Sequence, residues 1–146
     1  MQEWASWIWI AHCVSTSYMT GLIWFVQRVH YPLMNRVAPA DYVAFQQAHM
    51  IRTTWVVGPA MLIEAFSAVA LLYLDDLPIQ PSVAWINMAL LLGIWVSTAA
   101  WQVPCHHRLS RAFDAAAHRS LVYGNWIRTA LWSIRALLLA VHMGIQ

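Results

Sequence analysis

Two long stretches of this chain, residues 4–27 and 83–103, contain no Asp, Glu, Lys or Arg. Each is long enough to cross a hydrocarbon core as a helix, which takes about 20 apolar residues. Hydrophobic residues make up 61% of the 146 positions and charged residues only 10%, whereas a soluble domain carries about 25% charged residues. That balance rules out a water-soluble fold and predicts an integral membrane protein, 1–146, as a single membrane domain. Four spans are expected, at about 4–29, 54–74, 83–103 and 121–143. They are expected to be helices, because backbone in lipid must satisfy its own hydrogen bonds and the apolar runs lack the alternation of barrel strands. The predicted fold class is therefore all-α, an integral membrane four-helix bundle. No internal repeat is legible. The N-terminus lacks the basic n-region and small-residue cleavage site of a signal peptide, so the first apolar run is expected to be retained as a span.

All eight basic residues are arginine. Arg28, Arg36 and Arg52 fall between the first two spans, and Arg108, Arg111 and Arg119 between the last two. Short cytoplasmic loops carry the excess of positive charge, so both longer loops are expected in the cytoplasm. Both termini then face the periplasm or exterior of a membrane like the bacterial inner membrane, with Trp4, Trp7 and Trp9 in the outer aromatic belt. A net charge of +2 without a polar basic domain excludes nucleic-acid binding. Short amphipathic interfacial helices are expected in both loops. In the first, Tyr42, Phe45, His49 and Arg52 share a face, Asp41 is the expected N-cap, and the helix continues into the second span. In the second, residues 106–120 show a weaker pattern, after a third span that ends at Pro104. Cys13 and Cys105 fall near opposite faces, so no disulfide is expected between them.

Five of the seven histidines, His30, His49, His106, His107 and His118, belong to the cytoplasmic ends and loops. Neutral imidazole is the commonest metal ligand, and an amide or carboxylate beside it sets its tautomer. His30, His49 and His106, with His107 interchangeable, are the candidate metal ligands, and Gln27 and Gln102 the supporting amides at the same depth. An open three-histidine site suits iron, copper or zinc. Polar residues resting at headgroup level would give the same pattern without a site.

Glu64 lies near the middle of the second span, where an ionisable group costs about 2.5–3.5 kcal/mol on insertion scales and marks function by default. Arg128 and Arg135 on the last span each lie within about 5 Å of it in depth, at 1.5 Å rise per residue. A buried ion pair fixing helix register is one reading. The other makes Glu64 a metal ligand or general base, with Arg128 and Arg135 orienting polar substrate atoms. A straight helix puts His49 and Glu64 about 22 Å apart; a kink at Gly58-Pro59 would bring them closer. Small-residue stripes at Ala89, Gly93 and Ser97, and at Ser17 and Gly21, predict close helix packing. His12 and His142 could ligate a haem only from poorly matched depths.

The run Gln102-Val-Pro-Cys-His-His-Arg-Leu, followed by Asn125-Trp-Ile-Arg-Thr129 and Arg135, resembles the C-terminal pattern of the small four-span membrane family that includes anthrone oxygenases. Pro104, His106 or His107, Leu109, Trp126, Arg128 and Thr129 carry the resemblance, over about a third of the chain. It implies oxidation of a hydrophobic aromatic substrate. Together with the histidine layer, it makes the leading expectation a membrane-embedded, metal-dependent oxidoreductase or oxygenase acting on a lipid-soluble aromatic or quinone-like small molecule. Two others stand beside it: a non-catalytic subunit of a respiratory or photosynthetic membrane complex, and a small transporter with Glu64 as its proton-coupled residue. Partners beyond the lipid bilayer would be a second copy of the chain or a larger membrane complex.

Overall fold

The computed structural model describes residues 3–74 and 77–145. Asp75 and Asp76, in the loop expected on the outer side, lie outside them, as do the first two residues of the N-terminal stretch. Among the described residues the fold is all-helical. Helix α1 spans Glu3–Phe25 and passes through a π turn, Val26–His30, into the short α2, Tyr31–Leu33, and a 3-10 turn, Met34–Arg36. Helix α3 spans Tyr42–Tyr73. Helix α4, Pro81–Ser97, runs through a second π turn, Thr98–Gln102, into α5, Val103–Leu109, and α6 covers Ala115–Gly144. The order of elements thus repeats: a long helix, a π turn, a short proline-bearing helix, then another long helix. Ile-Arg-Thr recurs at 51–53 and 127–129, a correspondence too short to be legible without the element order.

Two helices are long and apolar enough to cross a membrane, Tyr42–Tyr73 and Pro81–Leu109. Helices α1 and α6 are also long, but Trp, Ser and Thr in the first and three arginines in the second lower their hydropathy. Several boundaries differ from expectation. The third long helix does not end at Pro104; it runs on through the π turn to Leu109, with the proline in the first turn of α5. The expected interfacial helix at 106–120 is instead the end of α5, a five-residue break and the first turns of α6. In the first loop the helix continues into the second long helix as expected, forming the beginning of α3. Pro59 is accommodated inside α3 without interrupting it.

Asp41 sits at the N-cap of α3 without a side-chain capping bond. At α6 the cap is complete: Asp114 Oδ1 accepts from the amides of Ala116 and Ala117 at 2.8 and 3.0 Å. These bonds from Ala117 and Ala116 hold the Asp114 carboxyl below its ordinary value of 3.8. Because the folded value is the lower one, the stabilisation is present above pH 3.8 and is lost as pH falls through the folded value. Asp114→Ala is expected to fray the first turn of α6, read as faster amide exchange at Ala116 and Ala117. Asp114→Asn, which keeps the acceptor, should preserve their protection.

The bundle is stratified. One apolar layer, Tyr31, Met34, Tyr42, Cys105, Leu109, Ala117 and Leu121, closes the end that carries the loops. A second, Met19, Ile23, Ala60, Met61, Ile94 and Trp132, lies midway, and a third, Ala5, Leu71, Leu77 and Ala84, closes the far end. Between them lie two polar layers. The outside is the reverse of a soluble protein: Trp7, Trp55, Phe66, Tyr73 and Leu137 are exposed, while His12, Glu64, Asn87, Gln102, Asn125 and Arg135 are buried. Six arginines, 28, 36, 52, 108, 111 and 119, are exposed at the loop-bearing end, and only Arg128 and Arg135 are buried. Cys13 and Cys105 are both free thiols.

At one place α6 and the second π turn meet without room to spare. A Cβ at Gly124 would fall 2.7 Å from Trp101 Nε1 and 2.9 Å from two carbons of its ring. The same indole donates to Ser120 Oγ at 2.9 Å. Gly124→Ala should push the ring off that bond. Overpacking typically costs about 1–3 kcal/mol, and the low end is expected here because Trp101 is 43% exposed and can swing outward. A thermal melt in detergent reads the loss, and Trp101→Ala in the same chain should restore most of it.

Candidate functional site

The polar layer nearest the loops is built where both π turns deliver side chains into the bundle. A π turn holds one more residue than an α turn and re-aims the side chains after it, and such turns concentrate at functional sites. The first places His30 and Tyr31; the second places Gln102 and, one turn later, His106. From α3 come Gln46 and His49, and from α6 Arg128.

Three of the candidate ligands come together. His30 Nε2 lies 2.9 Å from His49 Nδ1, with the two rings stacked at 4.5 Å, and the His49 and His106 rings are 5.3 Å apart. Thr53 Oγ1 is 3.0 Å from His49 Nδ1. Gln46 Nε2 donates to His106 Nδ1 at 2.8 Å. That bond assigns the His106 proton to Nε2, which donates to the Tyr31 hydroxyl at 3.0 Å. The Tyr31 hydroxyl is pushed up from its ordinary value by burial, and the Arg128 guanidinium facing it works in the opposite direction. Burial lowers His30 from its ordinary 6.5, so it is neutral at pH 7.

His107 does not join this cluster; it is exposed, beside Arg108, Arg111 and Asp114. Glu64 does not join it either; its carboxylate is bonded to Arg135 and Trp132. Gln27 turns to α6, donating to the Val122 carbonyl at 3.2 Å and accepting from Asn125 Nδ2 at 2.8 Å, so it supports helix packing rather than a histidine. Among the described residues no group of three or more His, Cys, Asp or Glu could hold a metal ion. The His106 ring nitrogens face Tyr31 and Gln46, and the facing nitrogens of His30 and His49 are bonded to each other. His30 and His49 therefore serve each other as donor and acceptor, and His106 is held by Tyr31 and Gln46.

The cluster forms the polar end of a cavity of about 190 Å³. Its walls are apolar, from Met19, Leu22, Ile23 and Val26 of α1, Val57 and Met61 of α3 and Val103 of α5. Its polar face is Tyr31, His49, Gln102, His106 and Arg128. Both amide atoms of Gln102 and Nε of Arg128 are buried without a hydrogen-bond partner. An unpartnered buried polar group costs about 1–3 kcal/mol, more when charged, and so two donors and an acceptor wait at the closed end of an apolar chamber. A second groove, of about 360 Å³, adjoins it between α1 and α3, past Phe25, Phe45, Arg52 and Val56. His49 borders both spaces, whereas His30 borders only the outer groove.

The other polar layer is a separate network around Glu64 and Arg135, both fully buried. Arg135 Nη1 donates to Glu64 Oε1 at 2.6 Å. Its Nε donates to Asn87 Oδ1 at 3.0 Å and its Nη2 to Thr16 Oγ1 at 3.3 Å. Asn87 Nδ2 donates to His12 Nε2 at 3.1 Å, leaving His12 Nδ1 to donate to Ser67 Oγ at 2.7 Å. Trp132 Nε1 donates to both Glu64 oxygens, at 3.2 and 3.1 Å. The two layers meet at this indole, since the Arg128 guanidinium lies 5.4 Å from the Trp132 ring centre. Glu64 thus orients Trp132, and Trp132 supports Arg128 at the cavity. His12 is committed to Ser67 and Asn87, and His142 Nε2 donates to the Pro78 carbonyl at 3.1 Å, so the two have separate partners.

Tyr31, Gln46, Asn87 and Trp132 carry as much of this geometry as the histidines, and sequence reasoning missed them. Tyr31 and Gln46 had a signal, adjacency to His30 and a three-residue offset from His49 on one helix face. Asn87 and Trp132 sit in apolar stretches where nothing local marks them. Comparison with known proteins finds no matching family model, no matching characterised relative and no matching solved structure.

Proposed function

We propose that this chain is an integral membrane protein, a four-helix bundle that binds a lipid-soluble aromatic molecule bearing hydroxyl and carbonyl oxygens and oxidises it. The observation that carries the reading is the 190 Å³ apolar cavity closed by unpartnered Gln102 and Arg128 atoms. A carbonyl oxygen would accept from Arg128 Nε and Gln102 Nε2, and a ring hydroxyl would donate to Gln102 Oε1. A flat apolar ring would fill the chamber between α1 and α3. The membrane setting is supported by the apolar exterior and the buried polar layers, which suit a solvent that solvates hydrocarbon and not charge. The six exposed arginines at one end favour that end in the cytoplasm and the termini outside.

The oxidation itself rests on the resemblance of residues 102–135 to the anthrone oxygenase-like family. In that chemistry an activated ring is deprotonated and meets dioxygen: a hydroxyanthrone CH₂ and O₂ give a quinone carbonyl and water, so atoms and electrons balance. His49, beside the cavity, supplies a neutral base for the ring CH₂, and Arg128 stabilises the oxyanion that forms on the conjugated carbonyl.

The test is equilibrium binding of 1,8-dihydroxyanthrone and of a tail-less benzoquinone to the detergent-purified protein, with oxygen uptake and elemental analysis on the same sample. Saturable binding with oxygen consumption is expected, both weakened by Gln102→Leu. Stoichiometric iron, copper or zinc, lost in His106→Ala, would reassign the imidazole cluster to a metal centre. No binding, with co-purifying membrane proteins, would make the chain a subunit of a larger complex.

A further inference from the structure

We infer that His49 and His30 form a proton relay leading from the cavity, between α1 and α3, to the surface groove; the inference rests on the ligand-binding reading above. The relay explains an arrangement that ligand binding alone does not need. His49 stands where two adjoining spaces meet, lining the cavity and the groove alike. His30 borders only the groove, and the two imidazoles are joined by a bond of 2.9 Å. Around them the groove is apolar, with Phe25, Phe45, Val56 and Val57. A proton leaving the cavity on this side therefore meets, among the described residues, no other titratable carrier except the exposed Arg52, which is always protonated. Imidazole suits the task because one ring nitrogen accepts while the other gives up a proton.

The step balances without a co-reactant. The C–H bond of the ligand's ring CH₂ breaks and its proton goes to His49 Nε2; the proton on His49 Nδ1 passes to His30 Nε2; the proton on His30 Nδ1 leaves to water in the groove. Each ring ends neutral, with its proton on the other nitrogen, and a ring rotation resets the pair. The electron pair of the broken C–H bond delocalises onto the ligand's carbonyl oxygen, beside Arg128. Thr53 Oγ1, 3.0 Å from His49 Nδ1, holds the His49 ring while the proton moves.

The experiment mixes 1,8-dihydroxyanthrone with the detergent-purified chain in a stopped-flow instrument and follows the colour of its anion. In His30→Ala, ionisation of the bound ligand is expected to slow roughly 10- to 100-fold, the lower part of the range for a positioned proton carrier, while the dissociation constant stays within about twofold of wild type. Free imidazole in the buffer, entering the groove where the side chain was cut away, should restore most of the rate. His30→Gln, which fills that space, should be equally slow and should not respond to imidazole. It also serves if the alanine variant loses its fold. A wild-type rate in both variants, or slowing that imidazole does not relieve in His30→Ala, overturns the relay while leaving the binding site in place. Wild-type protein that binds no hydroxyanthrone at all overturns the binding-site reading, and the relay with it.

Discussion

Arg135→Met is expected to be the most damaging single change in the chain, lowering stability by about 3–5 kcal/mol, the range found when one partner of a buried ion pair is removed. Glu64 would keep only the Trp132 indole, and its carboxylate would sit with no countercharge where solvent does not reach. Asn87 Oδ1 and Thr16 Oγ1 would lose their donor in the same stroke. A fluorescence-detected size-exclusion melt in detergent measures the effect. Pairing the change with Glu64→Gln removes the stranded charge and should recover much of the loss, because replacing both members of a buried pair is often close to neutral. A melting temperature for Arg135→Met within a degree or two of wild type would show that the pair is not held in the folded protein.

Arg128→Gln should leave the melt nearly unchanged and act on the ligand instead. Among the described residues Arg128 has no carboxylate partner; it rests against the Trp132 ring and presents Nε to the cavity. A hydrogen bond to a charged group contributes about 1.5–3 kcal/mol, so the dissociation constant for a hydroxyanthrone should rise roughly 10- to 150-fold at about 1.4 kcal/mol per tenfold. Arg128→Lys should fall between the two, keeping the charge but not the planar donors. Isothermal titration in detergent decides it. An unchanged affinity in Arg128→Gln would remove Arg128 from the site and leave recognition to Gln102.

Legibility differed between the two polar layers for a physical reason. The imidazole layer announced itself because histidines crowd the chain where apolar runs end, and His30, His49 and His106 do come together. Their partners did not follow from spacing: His30 meets His49 across two helices, and His106 meets Tyr31 and Gln46 from different elements. The Glu64 layer was half legible. A carboxylate in mid-helix requires a cation, and α6 offers two, Arg128 and Arg135. They are seven residues apart, two turns along one helix face, and nearly equidistant from Glu64 in depth. Only the packing of α6 against α3 selects Arg135 and sends Arg128 to the cavity. Pro59 leaves α3 continuous, and His49 and Glu64 serve different layers, His49 beside His30 and Glu64 beside Arg135.

Hydrophobic run length and the positions of charge determined that this chain folds into long helices, because unbonded backbone is costly wherever apolar side chains dominate the surroundings. The same pattern required buried polar residues to find partners inside. Which partners they found was decided by the tertiary structure. The two π turns rotate Tyr31 and His106 toward one another, and the Trp132 indole, set between Glu64 and Arg128, joins the layers. Those outcomes depend on helix register and rotation, which differ by one residue or one turn at no cost to the hydrophobic pattern, and only side-chain packing across the bundle tells such alternatives apart.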